Sequence, residues 1–273
     1  MRGLFCLPLC LLLACSQQQA QTKETPPDIA TPKDWKQPDN AAMEKLAAKD
    51  PIAFLENCVH RYHRDVKGYR LKMHKRERID GKLNDAEEIE VSFRDKPHSV
   101  FMHWVKGAGR AVSALYVEGE NGGKMLIRPN GLGGRLVKVA ERDPDGKEAR
   151  QSGRYTLKEF GLKKATLRAI ATWKAAKDDD ALHVEFAGEE KLKQGGNRPC
   201  WVLKRTKYKK PGNDGVADTT LYFDKETWLQ VGSVLRGKDG QLIGEYFFKD
   251  IELNPKFKDK QFQRDALLEK KTK

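Results

Sequence analysis

Cysteine is scarce in this chain, and what there is lies unevenly. Five occur in 273 residues, and Cys6, Cys10 and Cys15 all fall near the start. No CxxC pair and no Cys/His spacing is left to build a zinc site. Catalytic signatures are missing too: there is no GxSxG, no HExxH and no GxxxxGK[ST]. Asn130-Gly131-Leu132-Gly133-Gly134 is rich in glycine but lacks the phosphate-loop lysine, so it reads as a turn. His60 and His63, with Glu56 one turn earlier, share a helix, and an exposed helix face explains them better than a metal. His98, His103 and His183 have no evident carboxylate or cysteine partner. The sequence therefore predicts no catalysis, no cofactor and no metal. Long apolar runs are equally rare, and the one extended run, Leu4 to Ala14, is too short for a permanent bilayer span.

That run has another use. Arg2 supplies a positive start, the run has the length of a secretory h-region, and Ala14-Cys15 closes it. Leu12-Leu13-Ala14-Cys15 resembles a bacterial lipoprotein box, where cleavage before the cysteine frees it for lipid attachment. Residues 1–14 are thus expected to be a signal peptide and Cys15 the lipid attachment site. Ordinary secretion, with cleavage after Ser16 or Ala20, is the alternative. Both routes take the domain out of the cytoplasm, to the periplasm-facing cell envelope if Cys15 is lipidated and to a secreted form if it is not. Ser16 favours the outer membrane over the inner, by likeness to sorting rules in other bacteria. Residues 15–39 hold four prolines and few aliphatic side chains. Such a stretch buries too little surface to offset its ordering entropy, so it is expected to be a disordered tether.

Lysine and arginine outnumber the acids, 52 to 39, for a net charge of +13. Basic charge suits any polyanion; export turns that expectation toward lipid headgroups and wall polymers and away from nucleic acid. With Cys6 and Cys10 in the leader and Cys15 taken by the lipid, only Cys58 and Cys200 remain. An oxidising compartment makes a Cys58–Cys200 disulfide one reading, and two separate buried thiols the other.

Asp50-Pro51 has the form of a helix start, a capping carboxylate before a first-turn proline. Ile52, Leu55, Cys58, Val59, Tyr62 and Val66 then recur at helical spacing, which predicts a helix over 51–66. The preceding AAMEKLAAK predicts a short helical piece. From Tyr69 the period becomes two: Tyr69, Leu71 and Met73 share one face, Arg70, Lys72, His74, Arg76 and Arg78 the other. Strand-like runs follow at 89–93, 99–105, 114–119, 124–129 and 135–140, of which 99–105 is apolar on both faces. Residues 156–176 interrupt them, with Thr156 and Glu159 at capping-box spacing and a helical stripe of Leu167, Ile170, Ala171 and Trp173. Strands resume at 182–188, 199–208, 219–225, 228–236 and 241–253. Links this short require antiparallel pairing, and an antiparallel sheet this long must curl. The expected fold is α+β and mainly antiparallel, a curved, unclosed β-barrel whose concave face two helices cover. It should occupy residues 40–262, leaving 263–273 as a charged tail.

Several motifs together resemble a bacterial envelope family known as domain of unknown function 1571. They are Cys58-x-x-x-Tyr62, Tyr69, Lys75-x-Glu77-Arg78, Gly81, Arg94 through Trp104 (RDKPHSVFMHW), Tyr116-Val117-Glu118-Gly119 and Leu242-x-x-x-Tyr246. The order of elements is in turn similar to periplasmic lipoprotein carriers and their receptors, which implies a half-barrel over a cavity for acyl chains. The inward positions that would line it are Leu71, Met73, Val91, Phe93, Met102, Trp104, Tyr116, Leu126, Leu203 and Phe223. The same residues would serve equally as packed core. The row Arg70, Lys72, Arg76 and Arg78, with His74, is the candidate surface for anions; its alternative is a solvated face partly neutralised by Glu88 and Glu90. Lys204, Arg205, Lys207, Lys209 and Lys210 form a second basic run. The function so predicted is a monomeric, lipid-anchored protein that binds an apolar ligand such as an acyl chain, a lipid or a lipoprotein. The alternative is an envelope structural protein with a closed core and a basic face for anionic polymers.

Overall fold

The computed structural model describes residues 26–206, 208 and 215–269. The leader, Cys15 and residues 207 and 209–214 of the second basic run lie outside the described residues. Two helices open the fold, α1 (Asn40–Lys49) and α2 (Pro51–Asp65). Asp39 caps the first by accepting from Ala42 N at 2.7 Å, and Asp50 caps the second by accepting from Ala53 N at 3.1 Å. Each carboxylate satisfies an otherwise orphaned first-turn donor. The apolar stripe of α2 is buried from Ile52 to Tyr62, as its spacing requires.

Strands follow in two runs. The first comprises β1 (Gly68–Ile79), β2 (Lys82–Leu83), β3 (Glu87–Arg94), β4 (Ser99–Lys106), β5 (Ala111–Val117), β6 (Met125–Pro129) and β7 (Ala140–Arg142). Three helices, α3 (Gly131–Leu136), α4 (Lys147–Ser152) and α5 (Leu162–Asp178), lie within or after it. The second run is β8 (His183–Leu192), β9 (Arg198–Thr206), β10 (Asp218–Asp224), β11 (Gln230–Arg236) and β12 (Leu242–Leu253). The strands form one 12-stranded sheet in the order β7-β6-β5-β4-β3-β1-β12-β11-β10-β9-β8, with β2 as a spur on β1. Every pairing is antiparallel. The one long-range pairing, β1 with β12, joins the two runs with Tyr69 opposite Leu253 and Glu77 opposite Gly244. β7 and β8 end the sheet without meeting, so the barrel stays open.

Helices α1, α2 and α5 pack on the β9–β11 half of the concave face. Phe54 meets Trp201 and Phe223 edge-on at ring distances of 5.5 and 5.2 Å, and Trp173, Leu167 and Ile170 join the same cluster. The convex face is not bare either. Phe101, Leu115, Val117 and Leu126 are covered by Phe262 and Leu267. Residues 263–269 are therefore part of the domain and not a loose tail, because those two side chains carry its end onto the sheet.

Two further expectations change, and of the two cysteine readings the structure has the separate thiols. Residues 26–39 pack against α2 and are not all tether: Trp35 Nε1 donates to Asn57 Oδ1 at 2.8 Å, and Ile29 and Trp35 join the helix cluster. These two are the exceptions in a polar stretch, and they suffice to seat it. The strand expected at 135–140 is instead α3 followed by the short β7. Asn130 starts that helix by accepting from Gly131 N at 2.8 Å. Gly134 permits the turn, since a Cβ there would stand 2.3 Å from Pro129 O. Finally, Cys58 and Cys200 are free and buried. Trp201 faces the helices, so its neighbour Cys200 points to the opposite side of the sheet from Cys58. Burial pushes the Cys200 thiol up to about 12 and Cys58 well above its ordinary value, which fits two inert thiols.

Candidate functional site

The concave face is not filled along its whole length. Under α5 lies a cavity of about 1070 Å³, lined from β1 and β3–β6 on one side and from β9–β12 on the other. Its apolar wall includes Met73, Ile89, Met102, Trp104, Met125 and Ile127, and Trp173 of α5 faces it. The hairpin glycines Gly107 and Gly109 and the exposed Arg110 border it at one end, beside Pro129. At the other end the hollow is closed. There Tyr69 stacks on Phe93 at 4.6 Å and accepts from Leu162 N at 3.1 Å, fixing the start of α5 to the sheet.

Met73, Met102 and Trp104 are where the sequence placed them. The other predicted lining residues serve elsewhere. Leu71, Val91 and Phe93 share the concave face but are packed in the core at the closed end. Leu203 and Phe223 lie beneath α1, α2 and α5. Tyr116 is packed with Met125 and Ala149 under α4. Leu126 faces the convex side, so its neighbours Met125 and Ile127 are the inward ones; a one-residue shift in parity flips a whole strand.

The wall also carries charge that the sequence reading passed over. Inward positions of β1 continue past Met73 to Lys75 and Glu77. Lys75 Nζ stands 3.4 Å from Glu77 Oε2 and 3.3 Å from Glu87 Oε2. Tyr246 OH donates to Glu77 Oε1 at 2.5 Å, and Trp104 Nε1 donates to Glu87 Oε2 at 2.5 Å. Burial opposes a charge on Lys75, but the two carboxylates more than offset it, and its pKa rises. Lys75, Glu77, Trp104 and Tyr246 all belong to the motifs quoted above, and here they meet on one wall. Continuing the period-two count by two residues would have found the first pair.

The outward row of β1 is not an open cationic surface. Arg70 pairs with Glu252 at 3.4 Å, Lys72 with Asp250 at 3.0 Å, and His74 with Glu88 at 2.9 Å and Glu245 at 3.4 Å. Arg76 and Arg78 donate to backbone oxygens of Asn84, Leu242 and Gly81. The acids of β12, distant in sequence, complete the neutralisation that Glu88 begins. On α2, His63 contacts Asp28 at 3.0 Å and Thr31 at 3.0 Å. Among the described residues no group of three His, Cys, Asp or Glu could hold a metal ion.

His98 seals the closed end. Burial first, and then the nearby Lys164 ammonium, bring its pKa down to about 4, while its Nε2 donates to Leu157 O at 3.0 Å. A depressed histidine supports the fold fully above the unfolded value near 6.5, and the support fades as pH falls toward 4. Between pH 7 and pH 5 this group should cost about 2 kcal/mol of stability. Urea midpoints of wild type and His98→Gln at the two pH values check this, and the variant should lose measurably less on acidification.

The family is visible in the sequence as a whole. The model of the Protein of unknown function (DUF1571) family matches residues 66–267, well over half the chain. The chain belongs to that family. No curated protein matches the sequence. Among solved structures, this DUF1571 chain is similar to MucB in the Pseudomonas aeruginosa MucA/MucB complex, at 17% identity and a TM-score of 0.46, over 78% of this chain and 62% of that one. The chain thus spans about three-fifths of MucB. It is also similar to the Mycobacterium tuberculosis lipoprotein LppX, at 9% identity and a TM-score of 0.39, over 78% of this chain and 100% of that one. A LolA superfamily protein from Nitrosomonas europaea matches at 9% identity and a TM-score of 0.35, over 78% of this chain and 98% of that one.

Proposed function

We propose that this protein is a non-catalytic, lipid-anchored component of the cell envelope that holds an apolar ligand in its half-barrel. The observation that carries the reading is the cavity itself. Side chains fill the helix–sheet seam and the closed end, yet about 1070 Å³ stays hollow beside them. That is the upper range of ligand sites, and its mixture of methionine, tryptophan and aliphatic wall suits a flexible chain. An acyl chain, a lipid or the lipid of a lipoprotein is the chemistry that would fill it. The competing structural role needed a closed core and a basic face; the hollow and the paired β1 row both count against it.

Cys15 in its lipoprotein-like box supplies the anchor. Only residues 16–25 separate it from the packed segment, a reach of at most about 35–40 Å even if fully extended. A receptor or lipid-handling protein held at a membrane fits that leash better than a diffusing carrier. No helix among the described residues is long and apolar enough to cross a membrane. Native mass spectrometry of the chain carrying Cys15→Ser, which removes any acyl chain of its own, tests the reading. A co-purifying species of lipid mass, released by organic solvent, is expected. A spectrum of bare protein, unchanged after incubation with an acyl-chain probe, would end it.

A further inference from the structure

The cavity wall holds one buried cation that no carboxylate among the described residues answers. Arg205, on the concave face of β9, lines the cavity and is 6% exposed. Its Nε has no hydrogen-bond partner among the described residues. Among the described residues no carboxylate pairs with it. What faces it is the ring of Tyr208, 3.7 Å from the guanidinium carbon to the centroid. Burial draws its pKa down, and Tyr208, by its charge and a side-chain hydrogen bond, only partly restores it. The other buried cations of the wall are matched. Lys75 sits between two carboxylates, and Arg168 donates to Glu159 O at 2.8 Å while covering Tyr155 at 4.2 Å.

A guanidinium taken out of water without an anion is costly, and its planar fork fits a carboxylate or phosphate in two-point contact. Its surroundings are also suited to oxyanions. Thr219 lies directly across from Arg205 on β10, and the Thr219 and Tyr208 hydroxyls lie 3.0 Å apart. The register then runs Thr219 to Leu235, Leu235 to Gly244, and Gly244 to Glu77. Arg205 and Glu77 therefore share one row of the sheet, four strands apart, about 19 Å on a flat sheet and less on a curled one. Between them the wall is largely apolar, with Leu221, Leu235 and Phe248 at the surface of the hollow.

We infer that Arg205 is the anchor for the anionic end of the ligand, an acyl chain terminated by a single oxyanion, carboxylate or phosphate. The inference rests on the cavity reading given above and narrows it to amphiphiles with an acidic head. The tail would run from Arg205 over Leu221 and Leu235 toward Met102 and Ile127. A neutral head of equal length leaves the guanidinium unanswered and binds less well.

The test compares three probes with one tail: oleate, oleoyl lysophosphatidic acid and monooleoylglycerol. Each is titrated into the chain carrying Cys15→Ser, and into the same chain with Arg205→Met. An anionic probe should bind wild type at least about tenfold tighter than the glycerol ester, the gain of a charge-assisted contact. Whether oleate or the lysophosphatidic acid leads identifies carboxylate or phosphate as the head. Arg205→Met should abolish the preference, keep the glycerol ester's affinity and raise the melting temperature, since it removes a buried unpaired charge. Equal affinity of all three probes for wild type would overturn the assignment while leaving the cavity reading intact, and so would a preference that survives in Arg205→Met. Failure of every probe to bind wild type would overturn the cavity reading itself, and the anchor with it.

Discussion

Lys75→Met should destabilise the domain by about 3–5 kcal/mol at neutral pH, the scale for breaking a buried ion pair from one side. The lysine is 12% exposed at its side chain, and Glu77 and Glu87 are 4% and 20% exposed at theirs. Removing the ammonium leaves two carboxylates facing the same dry wall. Their bonds from Tyr246 and Trp104 remain, but hydrogen bonds alone do not cancel two like charges in a medium of low polarity. Repulsion between the two retained charges then burdens the fold. Adding Glu77→Gln to Lys75→Met should recover part of the loss, because the amide oxygen still accepts from Tyr246. Urea denaturation of the single and double variants at pH 7 decides it. A single variant as stable as wild type at pH 7 would mean that water already screens the network.

Much of this fold was legible because its signals are local. The caps at Asp39 and Asp50, the helical stripe of α2 and the alternation of Tyr69, Leu71 and Met73 depend on neighbours within a few residues. Ten of the strands follow from such alternation, and their short links force the antiparallel order. What was not legible depended on partners far along the chain. The acids that neutralise Arg70 and Lys72 come from β12, about 180 residues away. Leu203 has the inward parity but lies beneath α1, α2 and α5, whereas Leu126 was assigned to the cavity because apolar residues on a strand give parity only relative to each other. Which side faces the helices is decided by the sheet as a whole. Lys75 and Glu77 were hidden for a different reason. Charged residues at inward positions contradict the alternation rule, and the rule fails where a wall must hold something other than packed hydrocarbon. Arg205 belongs to the same class: as one member of a basic run it looks like solvated surface. Only its burial on β9 separates it from Lys204, which is exposed beside it.

Ala114→Trp should cost the protein about a hundredfold in affinity for a pyrene-labelled acyl chain while leaving its stability unchanged or raised. Ala114 is 3% exposed on β5, and its cross-strand neighbours Met102 and Ile127 both line the cavity. An indole built there projects into the hollow. It would displace roughly four methylenes' worth of ligand contact, about 3 kcal/mol at the usual burial coefficient, which is about two orders of magnitude in affinity. The same substitution behaves oppositely where the concave face is filled. Ala47 of α1 is 1% exposed in the helix–sheet seam, against the cluster of Phe54, Trp201 and Phe223. Ala47→Trp has nowhere to go and should destabilise by about 1–3 kcal/mol or more through overpacking. The pair thus measures emptiness directly, with no need to know the natural ligand. Two variants that lose stability alike would show that the space beneath α5 is filled in solution. An Ala114→Trp protein that is stable yet binds the probe as tightly as wild type would place the acyl chain somewhere other than this wall.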